Sequence, residues 1–223
     1  MPLPMVHLST AVTFAERKNL QEISGLFYLG NIAPDAIHMR AGSTSGDKQR
    51  THFEHKTQGD DLKDLKFLYI EYMAHHKTAA AWKWFVKGYF MHILTDYYWF
   101  KLLYPGYVDH ADRLGLSDQE KRTYYYRETD QADFHLFRQQ PWRELVWMAM
   151  DETEVYDFGD LLSADEISRW RDRTSTFFAD PAKEPRITPE YFSDALIQGF
   201  VADTAERLLP LFDEWDELAG WKE

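Results

Sequence analysis

The sequence predicts an all-α fold, a single-domain multi-helix bundle that takes in residues 1–223. Apolar residues recur at helical spacing along most of the chain, and no segment shows the strict apolar–polar alternation of a half-buried strand. The stretch 78–103 is apolar on nearly every face, which is typical of a buried central helix. Aromatic residues make up 16% of the chain, which favours a well-packed core over disorder.

The individual elements follow from this periodicity and from the residues that start and stop helices. A first helix is expected at about 9–21, and a short apolar helix at 23–29 that ends at Gly30. The polar stretch 40–59 is rich in Gly, Ser and Thr and predicts a long ordered loop. Helices are further expected at 60–72, 78–103 (ended by Pro105-Gly106), 117–138, 142–150, 164–178 and 189–218, with connectors at 157–160 and 179–185.

Charge and composition exclude several classes of function. The formal net charge of −12 predicts a surface that repels nucleic acid, so no stable nucleic-acid complex is expected. The absence of cysteine rules out a disulfide framework, a thiolate metal site and a cysteine nucleophile. No apolar run is long enough for a transmembrane helix, and the start of the chain lacks the features of a secretory signal. These observations predict a cytoplasmic protein.

The strongest candidate for chemistry is the pair His92 and Asp96 on the expected central helix. A spacing of four puts both side chains on one helical face, where they can reach the same ion. Imidazole together with carboxylate suits zinc, and also manganese or iron. The alternative is a pair that is satisfied by its own hydrogen bond. The apolar flanks favour a metal, because a buried carboxylate without partners costs several kcal/mol.

Five more histidine and aspartate side chains are candidates. Asp35 precedes an apolar pair and has no evident need of charge, although a first-turn helix acid explains it as well. His38 can share a helical face with Asp35 and orient a ligand. His52 and His55 lie in the polar stretch, where the alternative is two surface histidines. His7 lies between two apolar residues, a poor place for a solvated histidine.

Four motifs in this order resemble the zinc-dependent phospholipase C fold, which the fungal single-strand nucleases share: His7, Asp35, His52-Phe53 and His92-x-x-x-Asp96. In that family an early His, an Asp, a His-Phe pair and a helical HxxxD supply two of three clustered metals. The segments GNIAPD and HILTD look like those of the short bacterial members, which are described as phospholipase-C-like hydrolases. The resemblance covers residues 1–100 and implies the helical bundle of that family.

The resemblance also implies a site with two or three zinc ions. Four side chains would hold the first ion: Asp35, His52, His92 and Asp96. Asp96 would bridge to a second ion that His7 also binds, and Asp35 would be the catalytic general base. The family binds its third ion through a further His and a helical HxxxE, which this chain lacks. Asp130 and Asp133 share a helical face and are candidate replacements, although an ordinary solvated acidic face explains them as well.

The expected function is a metal-dependent hydrolase of phosphate esters, a zinc phosphoesterase of the phospholipase C type. Its substrate would be a small phosphodiester or phosphomonoester, or a phospholipid. Arg40, Arg50 and Lys56 are candidate phosphate contacts, and solvated surface charges are the alternative. A non-catalytic metal-binding or structural helical protein that keeps the fold is the alternative function, which the missing third-ion motif favours. The oligomeric state stays open.

Overall fold

The described part of the chain, residues 3–21, 23–57, 62–75 and 80–222 of a computed structural model, is built from helices. The α-helices are α1 (Pro4–Arg17), α2 (Gly25–Ile32), α3 (Ser45–Thr51), α4 (Lys63–His75), α5 (Ala80–Tyr98), α6 (Tyr104–Arg113), α7 (Asp118–Gln139), α8 (Arg143–Asp151), α9 (Ala164–Ala179) and α10 (Asp194–Ala219). Two 3₁₀ helices (Ala33–Met39 and Glu54–Lys56) and a π-helix (Trp99–Leu103) complete the list. Within these ranges the only β contact is one isolated bridge, Phe158 with Leu162. The all-α prediction is therefore confirmed.

α5 is the central helix, as its apolar pattern predicts. Every residue in the range 85–96 is buried. α2 packs against α5 at very short range through two glycines: a Cβ on Gly30 would lie 2.3 Å from the carbonyl oxygen of Phe85, and one on Gly88 would lie 2.0 Å from that of Phe27. The prediction that Gly30 ends a helix is wrong, because this glycine permits a close backbone approach inside α2.

α1 begins five residues before the predicted start, at Pro4 rather than Ser9. Proline suits the first turn of a helix, because its missing N–H would have no partner there. Asp133 of α7 then accepts hydrogen bonds from the backbone N–H groups of Met5 (2.9 Å) and Val6 (3.2 Å). A distant carboxylate therefore caps α1, which no local pattern reveals.

In its described part, residues 40–57, the polar stretch is not the long loop that its composition predicts. Thr44 and Asp47 form a capping box that starts α3: the Thr44 hydroxyl accepts from the Asp47 N–H at 3.2 Å, and the Asp47 carboxylate accepts from the Thr44 N–H at 2.8 Å. This reciprocal capping satisfies two N–H groups at the helix start. The helix is short and polar, so it lacks the apolar periodicity on which the prediction depends.

The second half of the chain follows the predictions more closely. α7, α8 and α9 lie within one residue of the expected bounds, and α7 and α9 begin at capping boxes. Pro105-Gly106 does not end the helical region, because the π-helix leads directly into α6 and Pro105 is accommodated in its first turn. α10 begins after the Ser193 cap rather than at 189. The expected helix starts at 60 and 78 lie outside the described residues.

The buried apolar side chains of these helices form one continuous cluster, which fits a single domain. Among the described residues, no helix is both long enough and apolar enough to span a bilayer.

Candidate metal centre

The five principal ligands expected from the sequence are buried and meet beside α5. α5 supplies His92 and Asp96, one turn apart, and the first turn of α1 supplies His7. Asp35 lies in the 3₁₀ helix that follows α2, and His52 directly follows α3. Four separate segments of the chain therefore contribute to one site.

The two oxygens of Asp96 face different histidines. Oδ1 lies 3.6 Å from Nε2 of His7, whereas Oδ2 lies 3.6 Å from Nε2 of His92 and 3.8 Å from Nε2 of His52. Asp35 lies on the far side, with Oδ1 3.3 Å from Nε2 of His52 and Oδ2 4.0 Å from Nε2 of His92. The ligand atoms form two overlapping groups, each within 4.8 Å, that share His92: His7, His92 and Asp96, and Asp35, His52 and His92.

Backbone carbonyls orient two of the imidazoles. Nδ1 of His92 lies 2.8 Å from the carbonyl oxygen of Asn31, and Nδ1 of His52 lies 3.0 Å from that of Lys48. When each Nδ1 donates its proton to its carbonyl, the lone pair of each Nε2 points into the site, as metal ligation requires. The close packing of α2 on α5 places the Asn31 carbonyl beside His92.

His7 and His92 stack face to face. Their ring centroids are 3.8 Å apart and the ring planes differ by 6°. Burial lowers the pKa of His92 to about 3. The pKa of His7 is also well below its ordinary value, mainly because the ring is buried and secondly because protonated His7 would be repelled by a protonated His92. Both rings are therefore neutral at pH 7, which leaves a nitrogen lone pair on each for a cation.

Several polar atoms in this cluster have no hydrogen-bond partner in the described part of the chain: Nδ1 and Nε2 of His7, Nε2 of His52, Nε2 of His92 and Oδ1 of Asp96. Each such buried atom costs about 1–3 kcal/mol. One or more divalent cations would satisfy imidazole nitrogens and carboxylate oxygens together, and this donor set suits zinc, manganese or iron. The residues therefore fit the kind of metal that the resemblance implies.

The two carboxylates differ in their electrostatics. Burial raises the pKa of Asp96 to about 6. Burial alone would also raise the pKa of Asp35, but the neighbouring His52 and the Lys48 ammonium hold it well below its ordinary value. Asp35 is thus ionised at neutral pH, which suits a ligand, whereas a carboxylate with so low a pKa is a weak proton acceptor.

Lys48 is the site residue that sequence reasoning missed. Its Nζ lies 3.2 Å from Oδ1 of Asp35 and 3.4 Å from Nε2 of His38. His38 in turn lies 3.7 Å from the same oxygen of Asp35. The available signal was the spacing of four between Lys48 in α3 and His52 at its C-terminal cap, which places the two residues one helical turn apart. That signal is meaningful only if the stretch is helical.

The other candidates do not belong to the two ligand groups. His55 lies on the exposed 3₁₀ helix Glu54–Lys56. Asp130 lines a cavity between α7 and α9. Asp133 is occupied by the N–H groups that begin α1 and so fixes the turn that carries His7.

The three basic residues expected to contact phosphate are ion-paired elsewhere. Arg40 donates to Glu166 at 2.7 Å, Arg50 pairs with Asp160, and Lys56 lies 3.7 Å from Asp64. Lys48 is instead the basic side chain that contacts a candidate metal ligand.

Comparison with known proteins identifies no relative. No protein-family model matches the chain, and neither a curated protein nor a solved structure is significantly similar to it.

Proposed function

We propose that this protein is a metal-dependent phosphoesterase whose ions are held by five side chains: His7, Asp35, His52, His92 and Asp96. The observation that carries the proposal is the convergence of imidazole nitrogens and carboxylate oxygens in one buried cluster, in which several atoms have no hydrogen-bond partner among the described residues: Nε2 of His7, His52 and His92, and Oδ1 of Asp96. A protein core does not retain such a set without compensation, because buried polar atoms are nearly always partnered.

Divalent ions bound here would act as Lewis acids toward a phosphoryl group. The side chains have separate tasks. His52 and His92 are held in their ligating orientation by backbone carbonyls, and Asp96 faces both ligand groups with different oxygens. Lys48 offers an ammonium group to a phosphoryl oxygen. Asp35 acts first as a ligand, and its role as general base stays a prediction.

The substrate would reach the site beside His38 and Lys48. Their side chains are 44% and 24% exposed, whereas that of His7 is fully buried. A phosphate ester arriving from this side meets positive charge before it meets Asp35. Positive charge at the mouth of a site attracts an anionic substrate even when the net charge of the protein is negative.

A non-catalytic metal site is the second candidate, favoured by the near-complete burial of the ligands. Structural zinc sites are closed, whereas catalytic sites keep an open coordination position. The choice of phosphomonoester, phosphodiester or phospholipid as substrate and a cytoplasmic location are predictions of the sequence.

The test combines elemental analysis with hydrolysis assays. Wild type, His92→Ala and the control His110→Ala are purified without a tag, loaded with zinc and assayed on p-nitrophenyl phosphate and bis(p-nitrophenyl) phosphate. His110 lies in α6 between Tyr124 and Tyr191, away from the ligands. We expect bound zinc and turnover in wild type and His110→Ala. His92→Ala should lose zinc and at least about 100-fold in activity, since even partners outside the ligand shell are worth 10–100-fold.

Two other outcomes would contradict the proposal. Zinc that is bound through His92 without turnover on any phosphate ester would support the structural alternative. Wild type that takes up no divalent metal would leave these side chains as a buried polar network.

A further inference from the structure

A cavity of about 180 Å³ lies where the start of α1 meets α7 and α9. Its walls are largely apolar and aromatic, with two charged residues among them; they include Leu3, Asp130, Trp170, Arg173, Phe177 and Phe178. An apolar cavity of about 150 Å³ in another protein accommodates benzene. The cavity therefore has room for one aromatic ring or a short alkyl group.

His38 connects the wall of the cavity to the candidate metal centre. The ring of Trp170, which lines the cavity, lies 5.8 Å from the ring of His38. His38 is 3.7 Å from the candidate ligand Asp35, and α9 packs against the 3₁₀ helix that carries both. The start of α1 also lines the cavity, and this helix bears His7 in its first turn. A molecule in the cavity would therefore touch the start of α1, which carries the candidate ligand His7, and α9, which packs on the 3₁₀ helix of Asp35.

Two donor groups on α9 make no hydrogen bond or ion pair with a described residue. The guanidinium of Arg173 lies 5.5 Å from the Trp170 ring and makes no ion pair with a described carboxylate. The indole Nε1–H of Trp170 is buried and donates to no described acceptor. Donors of this kind recognise the oxygens of a phosphate ester.

The wall also contains a carboxylate, that of Asp130, which is partly buried and has no described hydrogen bond. This carboxylate offsets the charge of Arg173 on the same wall, so the cavity has no excess positive charge for an organic group that is itself anionic, such as one bearing a second phosphate. The cavity is also too small for two acyl chains. Size and charge together favour a compact neutral group.

We propose that the cavity binds the alcohol portion of the phosphate ester, a neutral group about the size of one aromatic ring, while Arg173 attracts the phosphoryl group. This inference rests on the proposed phosphoesterase function and names its substrate class: aryl or short-alkyl phosphates rather than phospholipids or nucleotides.

Binding of phosphonates to the zinc-loaded protein tests the cavity without requiring turnover. Isothermal calorimetry compares phenylphosphonate with methylphosphonate. We expect phenylphosphonate to bind on the order of tenfold more tightly, the effect of burying one ring. Phe177→Ala enlarges the cavity and should shift the preference toward 1-naphthylphosphonate.

The matched control is Phe137→Ala. Phe137 and Phe177 are both half-buried and both pack on Phe178, at ring distances of 5.1 and 5.3 Å, but only Phe177 lines the cavity. Phe137→Ala should therefore keep the wild-type preference. Arg173→Gln should weaken both smaller phosphonates, whereas Arg169→Gln, which removes the same charge from α9, should not.

Equal affinity for methyl and phenyl compounds, or a preference that Phe177→Ala leaves unchanged, would overturn the proposal, as would no phosphonate binding at all. The proposed function fails separately. Phenyl-selective binding without hydrolysis of any ester would support the proposed ligand of the cavity and contradict the proposed phosphoesterase function. Hydrolysis without a preference for aryl compounds would support the phosphoesterase function and contradict the proposed ligand of the cavity.

Discussion

α5 passes through two buried polar clusters that differ in how well their members are satisfied. The first surrounds Lys87, whose Nζ lies 2.6 Å from Oδ2 of Asp216. The hydroxyl of Tyr69 donates to the other oxygen of Asp216, and Lys18 lies 3.8 Å from the carboxylate. Three aromatic rings complete the surroundings of the ammonium at 5.0–5.2 Å: Phe14, Phe212 and Trp221.

The second cluster, around His92 and Asp96, has the opposite character. It brings together neutral imidazoles and carboxylates, and several of their atoms face one another without a hydrogen bond. Burial of polar groups therefore does not by itself indicate a ligand. What separates the two clusters is that the polar atoms around Lys87 have described partners, whereas several around His92 have none, which is the pattern that a bound cation would complete.

The largest effect is expected from breaking the satisfied cluster. Lys87→Met leaves the buried Asp216 carboxylate without its closest cation, which should lower the free energy of unfolding by about 3 kcal/mol. The zinc content should not change, because Lys87 belongs to neither ligand group. Urea unfolding and elemental analysis measure the two quantities.

Lys83→Met is the control, since Lys83 lies one turn earlier on α5, and it should lower the free energy of unfolding much less. The contrary result is that Lys87→Met lowers the free energy of unfolding by less than about 1 kcal/mol, which is the range of an exposed ion pair. That result would show that the buried Lys87 cluster does not stabilise the fold as predicted.

The pH dependence of stability gives a second, smaller effect. Burial lowers the pKa of Lys87 from 10.5 to about 7, although Asp216 opposes the shift. Between these values the unfolded chain binds a proton that the folded protein has released. The free energy of unfolding should therefore rise with pH, by at most about 1.4 kcal/mol per pH unit.

Urea unfolding between about pH 7.5 and pH 9.5, below the ordinary titration range of tyrosine, measures this slope. The Lys87→Met variant should lack the contribution of Lys87 to this slope. An identical slope in wild type and variant would contradict the assignment to Lys87.

The smallest effect is expected in the unsatisfied cluster and has the opposite sign. Burial raises the pKa of Asp96 to about 6, so in metal-free protein at pH 7.5 an ionised carboxylate opposes folding. Asp96→Asn removes that charge, and its amide N–H groups can donate to the facing Nε2 atoms. We expect the metal-free variant to be more stable by about 1 kcal/mol.

The gain should shrink at pH 5, where the wild-type carboxyl is already protonated. Unfolding in the presence of a chelator measures it. Destabilisation of metal-free protein by Asp96→Asn would show that the carboxylate is needed by the fold itself.

The sequence predicts some elements well and others poorly, for identifiable reasons. α7 and α9 combine helical periodicity with a capping box at Ser117 and at Ser163, so local information is sufficient. α3 has a capping box but no apolar stripe, and composition suggested a loop. Lys48 therefore does not stand out in the sequence, because a spacing of four has no structural meaning in a loop. The sequence predicts a helix end at Gly30, because a close interhelical contact leaves no local trace.

The pair His92 and Asp96 illustrates what the sequence by itself determined. Helical geometry places residues four apart on one face, and the apolar flanks predict that the face is buried, so both the central helix and the pair are local properties. Only the tertiary structure decided which other side chains meet them. Asp133 caps α1 and thereby holds His7, and the contact of Gly30 with α5 brings a carbonyl to His92. These contacts join residues far apart in the chain, and their energies depend on packing that no local pattern records.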